Sequence, residues 1–271
     1  PSFVCYRPIV SLCGGVPVVI ETKEENEFRL TADELREKIT DKTKLLVLPY
    51  PNNPTGAIMR REDLEAIAKV LKDTNIMIAS DEIYSELTYS GKHCSIAEIE
   101  GMRERTIVIN GFSKSFAMTG WRLGFLGGPK EIVSQMLKLH QYAIMSSPTV
   151  SQYAAIVAMH SCQKDIDAMR NEYNIRRRFV VDSFNKLGLK CFAPQGAFYV
   201  FPCIKSTGMT STDFCEKLVY TKKVAVVPGD AFGECGEGYV RVSYAYSLNH
   251  LREAIKRIGE FLEDIKNGNV Q

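Results

Sequence analysis

The sequence lacks the paired ligand motifs that mark zinc proteins. Its eight cysteines include no C-x-x-C pair, and its four histidines form no H-E-x-x-H motif, so a zinc site of a known motif type is not expected. Eight cysteines in 271 residues are also too sparse for a disulfide scaffold. The cysteines therefore indicate small apolar side chains in a reducing compartment, and we expect a cytoplasmic protein.

The sequence also has no long apolar run and no excess of charge of one sign. No run approaches the roughly 20 residues that a transmembrane helix needs. Lysine and arginine number 34 against 32 acidic residues, a net charge of +2. This balance gives no electrostatic reason to expect nucleic acid or an anionic membrane as a partner. With 45% apolar and 24% charged residues, the composition is typical of a folded globular protein.

The first two-thirds of the chain alternates apolar runs with helical patterns. Five runs predict strands, at residues 16–20, 44–50, 75–82, 105–111 and 122–128. Segments with helical spacing lie between them, including 31–39, which begins at a threonine followed by acidic residues, and 61–74. This alternation predicts an α/β fold, a three-layer αβα domain with a mostly parallel sheet.

The last hundred residues follow a different pattern. After a long helical stretch over residues 165–187, short apolar runs alternate with two further helical segments. This pattern predicts a smaller α+β domain. We place the boundary within the long helix, so that residues 1–170 form the large domain and residues 171–271 the small one.

Polar motifs fall at the carboxyl ends of predicted strands, which is where ligands bind in open α/β sheets. In YPNNPTG (50–56), two prolines and a glycine end a predicted strand and leave Asn53 at its carboxyl end, although the same residues fit an ordinary turn. In SDEIY, Asp81 ends a strand and Tyr84 follows three residues later. A carboxylate at this position can either pair with a cationic ring nitrogen or cap the next helix.

Two further motifs contain basic residues among apolar ones. Lys114, in NGFSKSFAMTGWRLGF, follows a strand, and a lysine in a desolvated pocket can form a Schiff base with an aldehyde. Arg122 starts the next strand eight positions later and is placed to bind an anion. Arg241 lies within the apolar run YVRVSYA and needs a partner, either a bound carboxylate or an acid of the protein itself.

In their order and types, these motifs resemble the class I and II pyridoxal-phosphate-dependent aminotransferases of fold type I, the aspartate aminotransferase superfamily. The resemblance runs from P-S-F-x-x-Y at 1–6 through N-P-T-G, D-x-x-Y and S-K-x7-R to P-x-GAFY-x-F at 194–201 and R-V-S-Y-A at 241–245. It implies pyridoxal 5'-phosphate as cofactor and transfer of an α-amino group between an amino acid and a 2-oxo acid. It also implies a homodimer with the active site at the subunit interface.

The resemblance implies a role for each matching residue in the parallel-sheet part of the chain. Lys114 would bind the cofactor covalently and then act as general acid and base. Asp81 would pair with the protonated ring nitrogen, and Arg122 would bind the phosphate. Asn53 and Tyr84 would hydrogen-bond the phenolic oxygen of the ring.

Three further roles follow from the same resemblance. Arg241 would bind the substrate α-carboxylate, and Asn53 also belongs to the substrate site. Phe3 matches the aromatic residue that stacks on the cofactor ring, although a phenylalanine there also fits a core position. Ser113 is the nearest hydroxyl for the phosphate, because Gly111 stands where many relatives carry a serine.

Relative to that family, the sequence starts inside the large domain. We therefore expect the sheet to be incomplete at its N-terminal end and the phosphate-binding loop to lie upstream. Three functions stay open: an aminotransferase with an aspartate or aromatic donor, a C–S β-lyase on the same fold, and a non-catalytic chain that binds cofactor poorly. Residues 131–160 contain no arginine for a second substrate carboxylate, which leaves the donor undecided.

Overall fold

The computed structural model describes residues 1–269, which divide into two compact units. One, which we call the parallel-sheet unit, contains Arg29–Pro51 and Ile58–Arg170. The other, the C-terminal unit, contains Pro1–Phe28, Asn52–Ala57 and the chain from Asn171 onward. The predicted cofactor-binding domain over 1–170 and small domain over 171–271 rest on the change of sequence pattern, and they stay a prediction.

Four of the five apolar runs predicted as strands in the first two-thirds of the chain contain a strand, and the run at 16–20 does not. The strands are β1 (Leu45–Pro49), β2 (Met77–Asp81), β3 (Thr106–Gly111), β4 (Gly124–Gly127), β5 (Tyr199–Val200), β6 (Val227–Pro228) and β7 (Val240–Ser243). The helices are α1 (Tyr6–Leu12), α2 (Ala32–Lys38), α3 (Arg61–Leu71), α4 (Phe112–Ser115), α5 (Lys130–Ala143), α6 (Thr149–Ser161), α7 (Gln163–Lys186), α8 (Ser211–Lys222) and α9 (Leu248–Lys266).

The parallel-sheet unit is built on a sheet with the strand order β1-β2-β3-β4. Strands β1, β2 and β3 run parallel, and β4 pairs with β3 in the antiparallel sense. Ile78 in β2 and Leu48 in β1 are buried, and α3 buries Leu64, Ile67 and Leu71. The predicted α/β class with a mostly parallel sheet is confirmed.

The C-terminal unit contains a small antiparallel sheet with the order β5-β7-β6. Its helices α8 and α9 bury Phe214 and Phe261, whose rings meet edge to face with centroids 5.2 Å apart. The side chain of Ser247 accepts a hydrogen bond from the His250 N–H and so begins α9.

One predicted strand is absent from the described chain. Residues 16–20 form no strand, and Val16 and Val18 are 84% and 62% exposed. Valine-rich composition favours an extended backbone, but a strand exists only where another strand pairs with it. No strand within residues 1–269 pairs with this segment, so the strand prediction was wrong there.

Helix α2 begins at a capping box that the sequence predicted in part. The Thr31 hydroxyl accepts from the Glu34 N–H at 3.2 Å, and the Glu34 carboxylate accepts from the Thr31 N–H at 2.9 Å. We expect Thr31→Ala to lower the free energy of unfolding by about 1 kcal/mol, because the helix end loses this bond. Urea unfolding of Thr31→Ala and of Thr31→Ser, which keeps the hydroxyl, tests this expectation. An equal loss in both variants would contradict it.

Two of the eight cysteines, Cys191 and Cys215, are free thiols that lie in the core of the C-terminal unit. Burial raises the pKa of Cys191 to about 12, with a further increase from the charge of Glu24. Burial likewise raises the pKa of Cys215 to about 12, with a contribution from Asp230. A raised pKa keeps these thiols protonated and unreactive until the pH approaches that value.

We therefore expect iodoacetamide at pH 8 to alkylate the exposed Cys13 and to leave Cys191 and Cys215 unmodified. Peptide mass mapping before and after unfolding in guanidinium measures this difference. Rapid labelling of either buried thiol in the folded chain would show that the C-terminal core opens readily.

Candidate active site

The candidate residues fall into two groups, one in each unit. Asp81, Tyr84, Ser113, Lys114 and Arg122 belong to the parallel-sheet unit. Phe3, Asn53 and Arg241 belong to the C-terminal unit.

Strand register brings Asp81 and Lys114 to the same edge of the parallel sheet. Asp81 is the last residue of β2 and lies opposite Ile109 of β3. Strand β3 ends at Gly111, and Lys114 follows in the short helix α4. Because β2 and β3 are parallel neighbours, their carboxyl ends meet at one edge, where ligands bind in this class of sheet.

Asp81 caps the turn that follows its strand. Its Oδ1 accepts a hydrogen bond from the Ile83 N–H at 3.2 Å, and Tyr84, in the same turn, is buried. An ionised carboxylate can accept several hydrogen bonds. The helical turn that follows begins after Tyr84, beyond the bond from Ile83, so Asp81 holds a turn, and its pairing to a ring nitrogen stays a prediction.

Helix α4 is held by the core beneath it. Phe112 and Met118 pack in one buried cluster with Ala155 and Ala158 of α6. Lys114 is half-buried between two buried residues of α4. The packing of its neighbours therefore fixes the backbone that carries the lysine, as a site on a rigid element requires.

Gly111 occupies a position with little free space. A Cβ atom there would lie 3.0 Å from Cδ1 of Ile83 and 3.2 Å from Cα of Gly124 and the Leu123 carbonyl oxygen. The backbones of β3 and β4 approach closely at this point, so a serine here would require its neighbours to shift by a few tenths of an ångström. Ser113, the predicted substitute for the phosphate, lies in α4 and is half-buried.

Arg122 is exposed and has a left-handed backbone, with φ of 52°. Its Nη1 donates to the carbonyl oxygen of Thr119 at 2.9 Å, within the same loop. An exposed guanidinium has five N–H donors and is able to bind an anion. Its assignment to the cofactor phosphate stays a prediction.

In the C-terminal unit, Arg241 of β7 lies between two aromatic rings. Its guanidinium carbon is 4.6 Å from the ring centroid of Tyr199 and 4.8 Å from that of Phe232. Both distances are within the range of cation–π attraction. The two rings hold the plane of the guanidinium, while its Nε is buried and makes no hydrogen bond within the described chain.

Arg241 also determines how the Asn53 amide is oriented. Nη1 of Arg241 donates to Oδ1 of Asn53 at 3.0 Å, and Asn53 is buried. A guanidinium only donates, so it selects the oxygen end of the amide and leaves the NH₂ group to donate elsewhere. Within residues 1–269, the side-chain hydrogen bond that the structure gives Arg241 is to this neutral amide, and its binding to a substrate carboxylate stays a prediction.

Phe3 and the rings around Arg241 complete the candidate residues of this unit. The Phe3 ring is partly exposed and meets Tyr6 edge to face at 6.3 Å, and its stacking role stays a prediction. Sequence reasoning missed Tyr199 and Phe232 as neighbours of Arg241. The GAFY motif contains Tyr199, but nothing in the sequence indicated that its ring contacts an arginine 42 positions later.

The residues present fit pyridoxal phosphate. The Lys114 amine and the Asp81 carboxylate lie at one edge of the sheet, because β2 and β3 are parallel neighbours. The cofactor's carbonyl carbon requires an amine, and its cationic ring nitrogen requires a carboxylate. Arg241 adds a buried Nε that has no hydrogen-bond partner within residues 1–269, which suits a carboxylate. Residues 1–269 contain no group of three or more histidine, cysteine or acidic side chains that could hold a metal ion.

The chain belongs to the aminotransferase class I and II family, whose sequence profile matches residues 1–258. It is 48% identical to an aspartate aminotransferase of Pyrococcus abyssi over 269 residues, which are 98% of this chain and 69% of that protein. It is also 48% identical to aromatic-amino-acid aminotransferase 2 of Thermococcus litoralis, with the same coverage.

A solved structure with the same fold is the aromatic aminotransferase of Pyrococcus horikoshii. It superposes with a TM-score of 0.96 at 47% identity, over 98% of this chain and 72% of that one. The predicted family, its pyridoxal phosphate cofactor and its aminotransferase activity are thereby confirmed. Within residues 1–269 no helix is long and apolar enough to cross a membrane.

Proposed function

We propose that the chain transfers an α-amino group between an aspartate-type or aromatic amino acid and a 2-oxo acid. The observation that carries this proposal is the β2–β3 register, which brings Asp81 and Lys114 to one sheet edge. Relatives named for aspartate and for aromatic amino acids are equally similar, at 48% identity. Both donor classes therefore belong to the proposal.

Each candidate residue has a distinct task in this proposal. The bound cofactor supplies an aldehyde and a ring that withdraws electrons from the substrate α-carbon. Lys114 holds the cofactor through its amine and moves the proton to and from that carbon. Asp81 keeps the ring nitrogen protonated.

The remaining residues bind and orient. Arg241 binds the substrate α-carboxylate and so fixes the direction of the bond that breaks. Asn53 and Tyr84 hydrogen-bond the phenolic oxygen. Arg122, with Ser113, binds the phosphate, and Phe3 stacks on the ring.

Absorbance spectroscopy of the purified chain with added pyridoxal phosphate tests the proposed function. We expect a visible band that shifts when aspartate, tyrosine or phenylalanine is added, with formation of the matching keto acid. Release of pyruvate and ammonia from a cysteine-type thioether would instead support the β-lyase. A chain that stays colourless with excess cofactor would support the non-catalytic alternative.

A second part of the proposal is a homodimer. Helix α6 buries Ser151, Ala155 and Ala158 on one side, while the apolar Tyr153 on another side is 69% exposed. Further exposed apolar residues lie on α6 and on the preceding helix α5: Leu137, Leu139, Tyr142, Val150, Ile156, Val157 and Met159. Large exposed apolar patches are typical of interaction surfaces, and a two-fold pair of identical chains covers such a patch on both copies.

Sedimentation velocity over a range of protein concentrations tests the dimer. We expect Tyr153→Glu to shift the parent dimer toward monomer, because a charge would be buried at the interface. Lys72→Glu, an exposed change at the end of α3, is the control. A parent chain that sediments as a monomer at all concentrations contradicts the dimer.

The proposal also includes the division into domains, in which residues 1–170 supply the cofactor-binding domain and residues 171–271 the small domain. The eight cysteines are scattered and form no C-x-x-C pair, which supports a reducing compartment, and we propose the cytoplasm.

A further inference from the structure

Glu82 is a buried carboxylate directly after Asp81, and none of the roles described above uses it. Only 4% of this residue is exposed. Its Oε1 accepts from the hydroxyls of Ser80 at 2.8 Å and Ser95 at 2.6 Å, and its Oε2 accepts from Nε2 of His93 at 2.8 Å. Both carboxylate oxygens are therefore satisfied, as a buried charge requires.

The surroundings keep this carboxylate ionised. Burial, the largest single influence, raises the pKa of Glu82, but the hydrogen bond and charge of His93 together with the two serine hydroxyls lower it below its usual value. An ionised carboxylate accepts at both oxygens, which matches the three donors that face it. The cluster is therefore complete as it stands.

The backbone of Glu82 connects strand β2 with the turn that contains Tyr84. Its N–H donates to the Ile109 carbonyl of β3 at 2.8 Å, and its carbonyl accepts from the Ser85 N–H at 2.9 Å. The Ile83 N–H between them donates to Asp81. A shift of Glu82 would therefore move both the strand end and the turn.

We propose that Glu82, anchored by Ser80, His93 and Ser95, is a positioning residue that fixes the backbone presenting Asp81 and Tyr84 to the cofactor. His93 and Ser95 lie 11 and 13 residues further along the chain, so the carboxylate ties the end of β2 to a separate loop. Successive side chains along an extended strand point to opposite faces, and an anchor on one face holds Asp81 toward the other. This inference rests on the proposed function, because it assigns the positioning to cofactor binding.

Glu82→Gln tests the proposal, with Glu86→Gln as the control. Both remove one negative charge, but Glu86 is exposed in the same segment. A glutamine at position 82 turns an NH₂ group toward donors and breaks part of the cluster. His93→Gln is the second variant, which keeps the carboxylate in place if Glu82→Gln does not fold.

The first measurement is hydrogen exchange of the cofactor-free chain. We expect the amides of Ile83 and Ser85 to exchange on the order of tenfold faster in Glu82→Gln, the effect of one lost buried hydrogen bond. Amides of α9 should not change. The second measurement is the pH titration of the visible absorbance of the cofactor-loaded chain, whose midpoint should shift in Glu82→Gln and His93→Gln but not in Glu86→Gln.

The two measurements separate this inference from the proposed function. A parent chain that shows no absorbance response to cofactor and amino donor contradicts the proposed function, and the exchange measurement then decides whether Glu82 holds the turn. Equal behaviour of Glu82→Gln and Glu86→Gln in both measurements overturns the inference. The inference is also overturned if Glu82→Gln speeds exchange evenly over the whole parallel-sheet unit. It is overturned as well if the titration midpoint of the cofactor-loaded Glu82→Gln chain does not change. Either result would mean that Glu82 only stabilises the fold in general.

Discussion

Lys114→Ala is expected to abolish amino transfer and to leave the chain without covalently bound cofactor. The reason is that no other side chain is proposed to supply both the amine that holds the cofactor and the base that moves the substrate proton. The expected loss is several orders of magnitude in kcat. Steady-state assay with aspartate and with tyrosine measures it, and borohydride reduction followed by peptide mapping should mark the Lys114 peptide in the parent chain but not the corresponding peptide of Lys114→Ala.

Lys72→Ala is the matched control, because Lys72 is exposed at the end of α3. It should leave both kcat and the borohydride-labelled peptide unchanged. Circular dichroism of Lys114→Ala should match that of the parent, since the core beneath α4 is made by Phe112 and Met118 rather than by the lysine. More than trace transamination by Lys114→Ala would exclude the assignment of Lys114.

Arg241→Ala should raise KM and lower kcat together. The proposed α-carboxylate contact both binds and orients the substrate, so its loss affects the ground state and the transition state. Removing one partner of a charged contact in a binding site typically costs several kcal/mol. We expect transition-state binding to weaken by roughly 3 kcal/mol, which lowers kcat/KM on the order of a hundredfold. Initial-rate kinetics over a range of donor concentrations measures both constants.

Two further variants show whether a loss of activity in Arg241→Ala comes from the planar guanidinium at this position. Arg241→Lys keeps the charge but loses the planar fork, so it should recover only part of the activity. Arg252→Ala removes an exposed arginine of the same unit and should change neither constant. If Arg241→Ala also changes neither, then Arg241 serves only to hold Asn53 and its neighbouring rings.

Local sequence signals predicted most of the fold. The apolar runs at 44–50 and 105–111 became β1 and β3, and the threonine before 31–39 became the N-cap of α2. These elements depend on residues a few positions apart. The run at 16–20 failed because pairing with another strand, which propensity does not determine, makes a strand.

The sequence predicted candidate residues one at a time, but it indicated which of them lie together only at the ends of neighbouring strands. Asp81 ends β2, Tyr84 follows it and Lys114 follows β3, and a parallel sheet brings such strand ends together. The contact of Arg241 with Asn53 joins residues 188 positions apart. The Glu82 cluster likewise depends on which loop folds back on β2, and no periodicity or motif signals it.

The bond between Arg241 and Asn53 has a consequence for how their contributions are measured. Since Asn53→Ala and Arg241→Ala each remove the same contact, a double-mutant cycle should give a combined loss smaller than the sum of the two single losses. The guanidinium and the amide are thermodynamically coupled, and part of the binding energy is common to both side chains. A survey that scores these positions one at a time would count their common contact twice.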